Sequence, residues 1–351
     1  MARHQNARIS AQLKPVCSEV DKIPYLTLES SNYNLMISIE HLSKKYGLLQ
    51  ALKDVSFSVQ DGEVLGFLGP NGAGKSTTMK IITGYTAPTE GSVKVNGLEV
   101  WEHPLEVKRQ IGYLPESVPL YDDMTVLEYL QFIGSIRIKA RSAFNSGSLP
   151  LAESLARVVK LCGLANVVRR PIGELSKGYR QRTCLAQAII HNPDILILDE
   201  PTSGLDPNQI SEVRDVIREI GREKTVMIST HILQEVQAVC DRVIIINEGR
   251  IVAHGTTAEL ERQSESAQSV YVKMRGLKEK IHQLLLDLPD IHEVRHRDTE
   301  SADIFGFEVT ATGSLDIRER IFRRAVSLDT PILEMRVERV SLEEVFRQLT
   351  K

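Results

Sequence analysis

Gly69-Pro70-Asn71-Gly72-Ala73-Gly74-Lys75-Ser76-Thr77 follows an apolar run, Val64-Leu65-Gly66-Phe67-Leu68, and precedes a helix-like run, Thr77-Thr78-Met79-Lys80-Ile81-Ile82. The order is strand, glycine-rich turn, helix, with the G-x-x-x-x-G-K-[ST] spacing of a phosphate-binding loop. Glycines let the backbone turn several N–H groups toward one point, which suits a polyphosphate. The helix that follows adds the positive end of its dipole to the same point. Asn71, Gly72, Ala73 and Gly74 would line the loop, Lys75 would reach the β- and γ-phosphates, and Ser76 or Thr77 would face a magnesium ion. The strand before and the helix after weigh against a chance match on an ordinary turn. The stretch implies nucleotide binding in an α/β fold.

The chain has 351 residues, of which 42% are hydrophobic, enough for the cores of two domains. A net charge of −3 gives no concentrated basic face and argues against a nucleic-acid partner. Cys17, Cys162, Cys184 and Cys240 form no Cys-x-x-Cys pair, which points to reduced, cytosolic thiols rather than a metal site or disulfides. No apolar run reaches the roughly 18–20 residues that cross a bilayer. Work at a membrane would therefore need a partner.

Residues 1–35 carry Pro15, Pro24 and mixed charge without period or signal-peptide plan, and are expected to be a disordered extension. Met36 opens the ordered part, either as an initiator or as an ordinary core methionine. Alternating segments at 37–42, 55–59 and 92–95, with turn signals at Asp61-Gly62, Glu90-Gly91 and Asn96-Gly97, predict an antiparallel β piece against the loop-bearing strand. Tyr46 is placed in the turn after the first strand; it would stack on an adenine ring or stand as a surface tyrosine. Val126, Leu127, Tyr129, Leu130 and Ile133 repeat with helical period, and a Ser/Gly/Asn/Pro cluster over 140–152 separates that helix from a second one at about 152–162. These make a helical insert over about 117–175.

Ile195-Leu196-Ile197-Leu198 and Val226-Met227-Ile228 are continuous apolar runs, as in parallel strands covered on both faces. The first ends in Asp199-Glu200 and the second in Ser229-Thr230-His231. Strand ends are where α/β sheets carry chemistry. Asp199 would hold magnesium and Glu200 would orient or deprotonate a water. His231 would meet a γ-phosphate, or be a plain exposed residue. Asn247-Glu248-Gly249 reads as a hairpin turn after Val243–Ile246. A polar linker, Arg262–Gln268, then leads to strands and helices in the order βαββαβ, a small ferredoxin-like α+β domain over 263–351 following the phosphate-loop domain over 36–262. A last helix is expected over 341–350.

Together with Leu175-Ser176-Lys177-Gly178-Tyr179-Arg180-Gln181-Arg182 and Ser203-Gly204-Leu205-Asp206, these motifs resemble the ATP-binding subunit of ABC transporters over residues 37–255. The resemblance implies a P-loop ATPase with Mg-ATP held between two subunits, as a homodimer or a heterodimer with a second ATPase subunit. Ser176 and Gly178 would then contact the γ-phosphate of the partner's nucleotide, and Asp206 would cross the interface. Tyr46 would match the adenine-stacking aromatic, Glu200 the catalytic base and His231 the switch histidine. Two departures stand out. Lys177 and Tyr179 replace a glycine and the glutamine of the signature, and Glu116, in Leu114-Pro115-Glu116, replaces a glutamine that touches magnesium. Glu116 is expected still to serve as metal ligand and coupling residue.

Pro115-Glu116, the signature variant and the Ser341-Leu342-Glu343-Glu344-Val345-Phe346 ending resemble the ABC-2 exporter group. That implies a separate ABC-2 type transmembrane permease and a place in the cytoplasm, peripheral on the inner face of the membrane. Asp122 to Ile138 would line the groove for a short helix of the permease. Two other classes fit an ATPase core: a soluble ABC-type ATPase acting on nucleic acid or ribosomes, and an ATP-dependent dimerising regulator. The single ATPase half without a heptad run argues against the first, and the intact Asp199, Glu200 and His231 against the second.

Overall fold

The computed structural model describes residues 35–142, 149–263, 269–311, 317–338, 346–347 and 350. The expected extension (all but its last residue), the centre of the loop between the two insert helices, most of the linker and most of the last helix lie outside the described residues.

The first stretch runs β1 (Leu35–Tyr46), β2 (Leu49–Gln60), β3 (Val64–Leu68), α1 (Lys75–Ile82), β4 (Glu90–Val95), β5 (Leu98–Glu99), α2 (Pro104–Gln110) and β6 (Ile111–Leu114). The insert helices α3 (Val126–Ser142) and α4 (Leu151–Leu161) follow, then α5 (Lys177–Ile189) and β7 (Ile195–Asp199). Next come α6 (Pro207–Gly221), β8 (Thr225–Thr230), α7 (Leu233–Val239), β9 (Arg242–Asn247), β10 (Arg250–Gly255) and α8 (Thr257–Gln263).

Strands β10-β9-β3-β8-β7-β6 form the central sheet in that order. Neighbours are parallel except at the β10 edge, where Glu248 and Gly249 make the hairpin turn. Every residue of β3, β6, β7 and β8 is buried, as continuous apolar runs in a two-sided sheet require. Successive side chains leave on opposite faces. Ile195 and Ile197 join Phe67, Met79 and Ile244 in a core shared with the antiparallel sheet β2-β1-β4-β5, where the Phe57 and Phe67 rings lie 5.4 Å apart. Leu196 and Leu198 join Val126, Leu130, Val158 and Leu185 in a second core under the helical insert.

Several expectations need correction. Tyr46 is the last residue of β1, not a turn residue; the turn lies at Gly47-Leu48. Glu90-Gly91 opens β4 rather than turning the chain. At φ 90°, a Cβ on Gly91 would lie 2.4 Å from the His41 carbonyl oxygen, so glycine is there to let β1 pass. Helix α1 begins at Lys75 rather than Thr77, and Arg262 and Gln263 belong to α8 rather than the linker. Met36 is buried in β1. Strand β6 was not expected. Gly112 makes room for α5, whose Ala188 carbonyl oxygen would lie 2.4 Å from a Cβ there.

From residue 269 on, β11 (Ser269–Arg275), α9 (Lys278–Leu286), β12 (Ile291–Ser301), β13 (Ile304–Ala311), α10 (Arg318–Ser327) and β14 (Ile332–Glu338) follow the expected order. They form an antiparallel sheet ordered β12-β13-β11-β14, the ferredoxin-like arrangement, around Val270, Val272, Phe307, Ile281 and Ile321. Phe346 packs on Leu233, Val236 and their neighbours beside the central sheet.

Candidate functional site

The glycine-rich loop joins β3 to α1 at the carboxyl edge of the central sheet. Gly69 donates its N–H to the Thr230 carbonyl, and a Cβ at this position would strike the Ile246 carbonyl oxygen at 2.4 Å. Gly74 caps α1 at φ 111°, wedged beside the Ala51 carbonyl. No side chain caps α1, so its first N–H groups face the loop. Lys75 is buried; its ammonium donates to the carbonyls of Gly69 (2.8 Å) and Pro70 (3.2 Å) and pairs with Glu200 Oε1 at 3.2 Å.

Strands β7 and β8 carry the opposing charges to the same edge. Ser76 Oγ donates to Asp199 Oδ1 at 3.1 Å, and Ser229 Oγ donates to the same oxygen. Glu200 takes the left-handed φ of 50°, unusual without glycine, with its N–H donating to both the carbonyl and the hydroxyl of Ser229. That bend brings Glu200 Oε2 to 2.8 Å from His231 Nδ1. The His231 side chain is 43% exposed while Glu200 is 7% exposed, so the imidazole stands between a buried carboxylate and solvent.

The structure thus gathers Lys75, Ser76, Asp199, Glu200 and His231. Asn71 and Gly72 are exposed at the loop tip, Ala73 is buried and Thr77 half-buried. Glu116 lies two residues past β6, which pairs with β7 through Leu114 and Leu198, so it shares the edge; it is exposed, and no described residue pairs with it. Tyr46 is 45% exposed with the Lys44 ammonium 4.9 Å from its ring centroid.

A second group forms at the start of α5 and α6. Ser176 caps α5, accepting from the Tyr179 N–H at 3.4 Å, and Asp206 caps α6, accepting from the Gln209 N–H at 2.9 Å. Gly178 is buried against the Gln209 side chain, which a Cβ would meet at 2.7 Å. Gln181 Nε2 donates to the Pro201 carbonyl at 2.7 Å, joining this group to the residue after Glu200. The variant Lys177 reaches across to Gly204, close enough to fill the place of a Cβ there.

Sequence reasoning missed Ser229 as the partner of both Asp199 and Glu200. It also missed Tyr113, whose buried hydroxyl finds no hydrogen-bond partner among the described residues. Burial, then the charge of Asp199, push that hydroxyl above the ordinary tyrosine range. The apolar Ile111–Leu114 run before Pro115 was the available signal.

An ABC transporter family model matches residues 52–203. The chain is 38% identical over 274 residues to an uncharacterized ABC transporter ATP-binding protein, YxlF, of Bacillus subtilis, covering 74% of this chain and 89% of that one. It belongs to the ABC transporter ATP-binding proteins. This ABC transporter subunit is also 37% identical to NatA of B. subtilis (69% of this chain, 98% of the relative) and 28% identical to the linearmycin resistance ATP-binding protein LnrL of B. subtilis (90% and 98%). Among solved structures, an ATP-binding subunit of an ABC transporter matches at 31% identity and TM-score 0.57, covering 65% of this chain and 93% of that one. A second solved structure, cbiO1 of Clostridium perfringens, part of the ABC transporter complex cbiONQ, matches at 28% identity and TM-score 0.57 (73% of this chain and 96% of that one). As a member of this family the subunit is an ATPase, and its relatives generally dimerise and pair with membrane permeases. Among the described residues no helix is long and apolar enough to cross a membrane.

Proposed function

We propose that the chain is the ATPase of an ABC-2 type exporter, coupling hydrolysis of two ATP to export through a separate permease on the cytoplasmic face of the membrane. The carrying observation is the joint placement of Lys75, Glu200 and His231 at one sheet edge, with Ser76 and Asp199 beside them. In this reading Lys75 offsets phosphate charge, the α1 N–H groups cradle the phosphates, and Tyr46 stacks on the adenine. Glu200 directs the attacking water and accepts its proton, while His231, bonded to Glu200, orients that carboxylate toward the γ-phosphate. Ser76 and Asp199, a hydroxyl and a carboxylate in contact, suit Mg²⁺, with Glu116 on the same edge as a further ligand. The ion would supply charge neutralisation of the β- and γ-phosphates.

Ser176, Gly178 and Asp206 cluster at the starts of α5 and α6, and in this reading they act on the nucleotide of a second subunit. Supporting the permease, Tyr121, Phe132 and Ile136 are exposed on the insert, with the Tyr121 and Phe132 rings 6.1 Å apart. Such a patch suits a short amphipathic helix. The resistance function in the name of LnrL, 98% of which this chain spans, favours an exporter. Purification of the full chain in detergent is expected to bring down a multi-spanning permease, and alanine at Phe132 and Ile136 to release it while ATP binding persists. Recovery of ribosomes or nucleic acid instead would overturn the export reading.

A further inference from the structure

Helix α7 packs on the central sheet through Leu233 and Val236, yet between them it buries a carboxylate, Glu235, at 5% exposure. Glu235 Oε1 accepts from the Thr202 hydroxyl and Oε2 from the Thr230 hydroxyl at 2.7 Å. Thr202 and Thr230 are themselves 4% and 0% exposed. The Thr230 hydroxyl in turn accepts the Ile232 N–H at 3.0 Å, closing a loop around His231. The Thr202 carbonyl accepts the Leu205 N–H at 3.1 Å, at the start of the turn that ends in Asp206. An isolated buried carboxylate is costly, and only donors on both oxygens make it tolerable. Both donors come from segments that flank Glu200 and His231.

We infer that Glu235 is a positioning residue that fastens the Thr202–Asp206 turn to the strand end bearing His231, so that a shift of the turn alters the Glu200–His231 contact. Glu235 touches no reacting atom. It acts through the 2.8 Å contact between Glu200 Oε2 and His231 Nδ1, and this rests on the reading of Glu200 as the base and of Asp206 as facing a second subunit. A movement of Asp206 on subunit closure would thereby reach the base of the same chain, linking the two nucleotide sites.

The test is steady-state ATP hydrolysis by the full-length chain, with thermal unfolding as the check on folding. Glu235→Gln is expected to lower kcat about tenfold, the scale of a hydrogen bond to a charged group, with KM for ATP within about twofold. In a His231→Ala background the same change should lower kcat no further, which a general loss of packing would not reproduce. If Glu235→Gln does not fold, Thr202→Val and Thr230→Val carry the test, each lowering kcat and together losing less than the product of the two. Wild-type kcat in these variants, or losses that multiply with His231→Ala, would overturn the inference while Glu200→Gln stays inactive. A fully active Glu200→Gln would instead overturn the reading of the base.

Discussion

The central parallel sheet and the carboxy-terminal antiparallel sheet place their charges in opposite ways. At the central edge Lys75, Asp199 and Glu200 are 5%, 1% and 7% exposed; Lys75 pairs with Glu200, and Asp199 is held by the hydroxyls of Ser76 and Ser229. In the carboxy-terminal sheet the core is apolar, and an ion pair such as Arg275 with Asp303 stands in solvent. Burying an ion costs several kcal/mol, and partners only partly offset it. Exposed pairs cost little and contribute little. A region that carries the first kind of cluster is arranged for chemistry, whereas one that carries only the second kind draws its stability from its apolar core.

That contrast can be broken most forcefully in the second region. Phe307→Ala should destabilise the carboxy-terminal sheet by about 3–5 kcal/mol, the cost of emptying an aromatic core site, with nucleotide affinity of the folded chain unchanged. Denaturant unfolding alongside ATP binding checks it, and a matched loss of affinity would merge the two regions. Next, Glu200→Gln should cut kcat at least ~10²-fold with ATP still bound, the scale of removing a general base. Phosphate release and nucleotide binding measured together decide this, since a fast Glu200→Gln enzyme leaves the buried cluster without its catalytic reason.

Histidines sharpen the comparison. His191, two residues past α5, is buried; desolvation first, then the charges of Arg137 and Arg141, lower its pKa to about 3. Its depressed value means that its share of stability is complete above the ordinary histidine range near 6.5 and drains away as pH falls toward 3. Between pH 6.5 and 4 the wild-type chain should therefore lose up to ~1.4 kcal/mol per pH unit more than His191→Gln, read from urea unfolding. Smallest of all, Arg275→Ala should change stability by less than about 1 kcal/mol.

Much of this was legible in the residues. The phosphate-loop spacing, the apolar runs of β3, β7 and β8 and the βαββαβ order are local patterns, set by backbone freedom at glycine and by side-chain period. Tyr46 and Glu90-Gly91 were misread for the same reason. A glycine or a polar pair looks like a turn until a neighbouring strand is known to pass close to it. The site was read as single residues at strand ends, and its hydrogen bonds were not.

The order of glycines, apolar runs and charged strand ends determined by itself that this chain binds nucleotide in an α/β sheet and has a ferredoxin-like second part, because such signals act over a few neighbouring residues. Tertiary structure alone decided that Ser76 meets Asp199 from 123 positions away, that Glu200 bends onto His231 from 31, and that Glu235 ties Thr202 to Thr230. Those contacts depend on which strands lie side by side, and strand order follows from burial of the whole core rather than from any stretch within it.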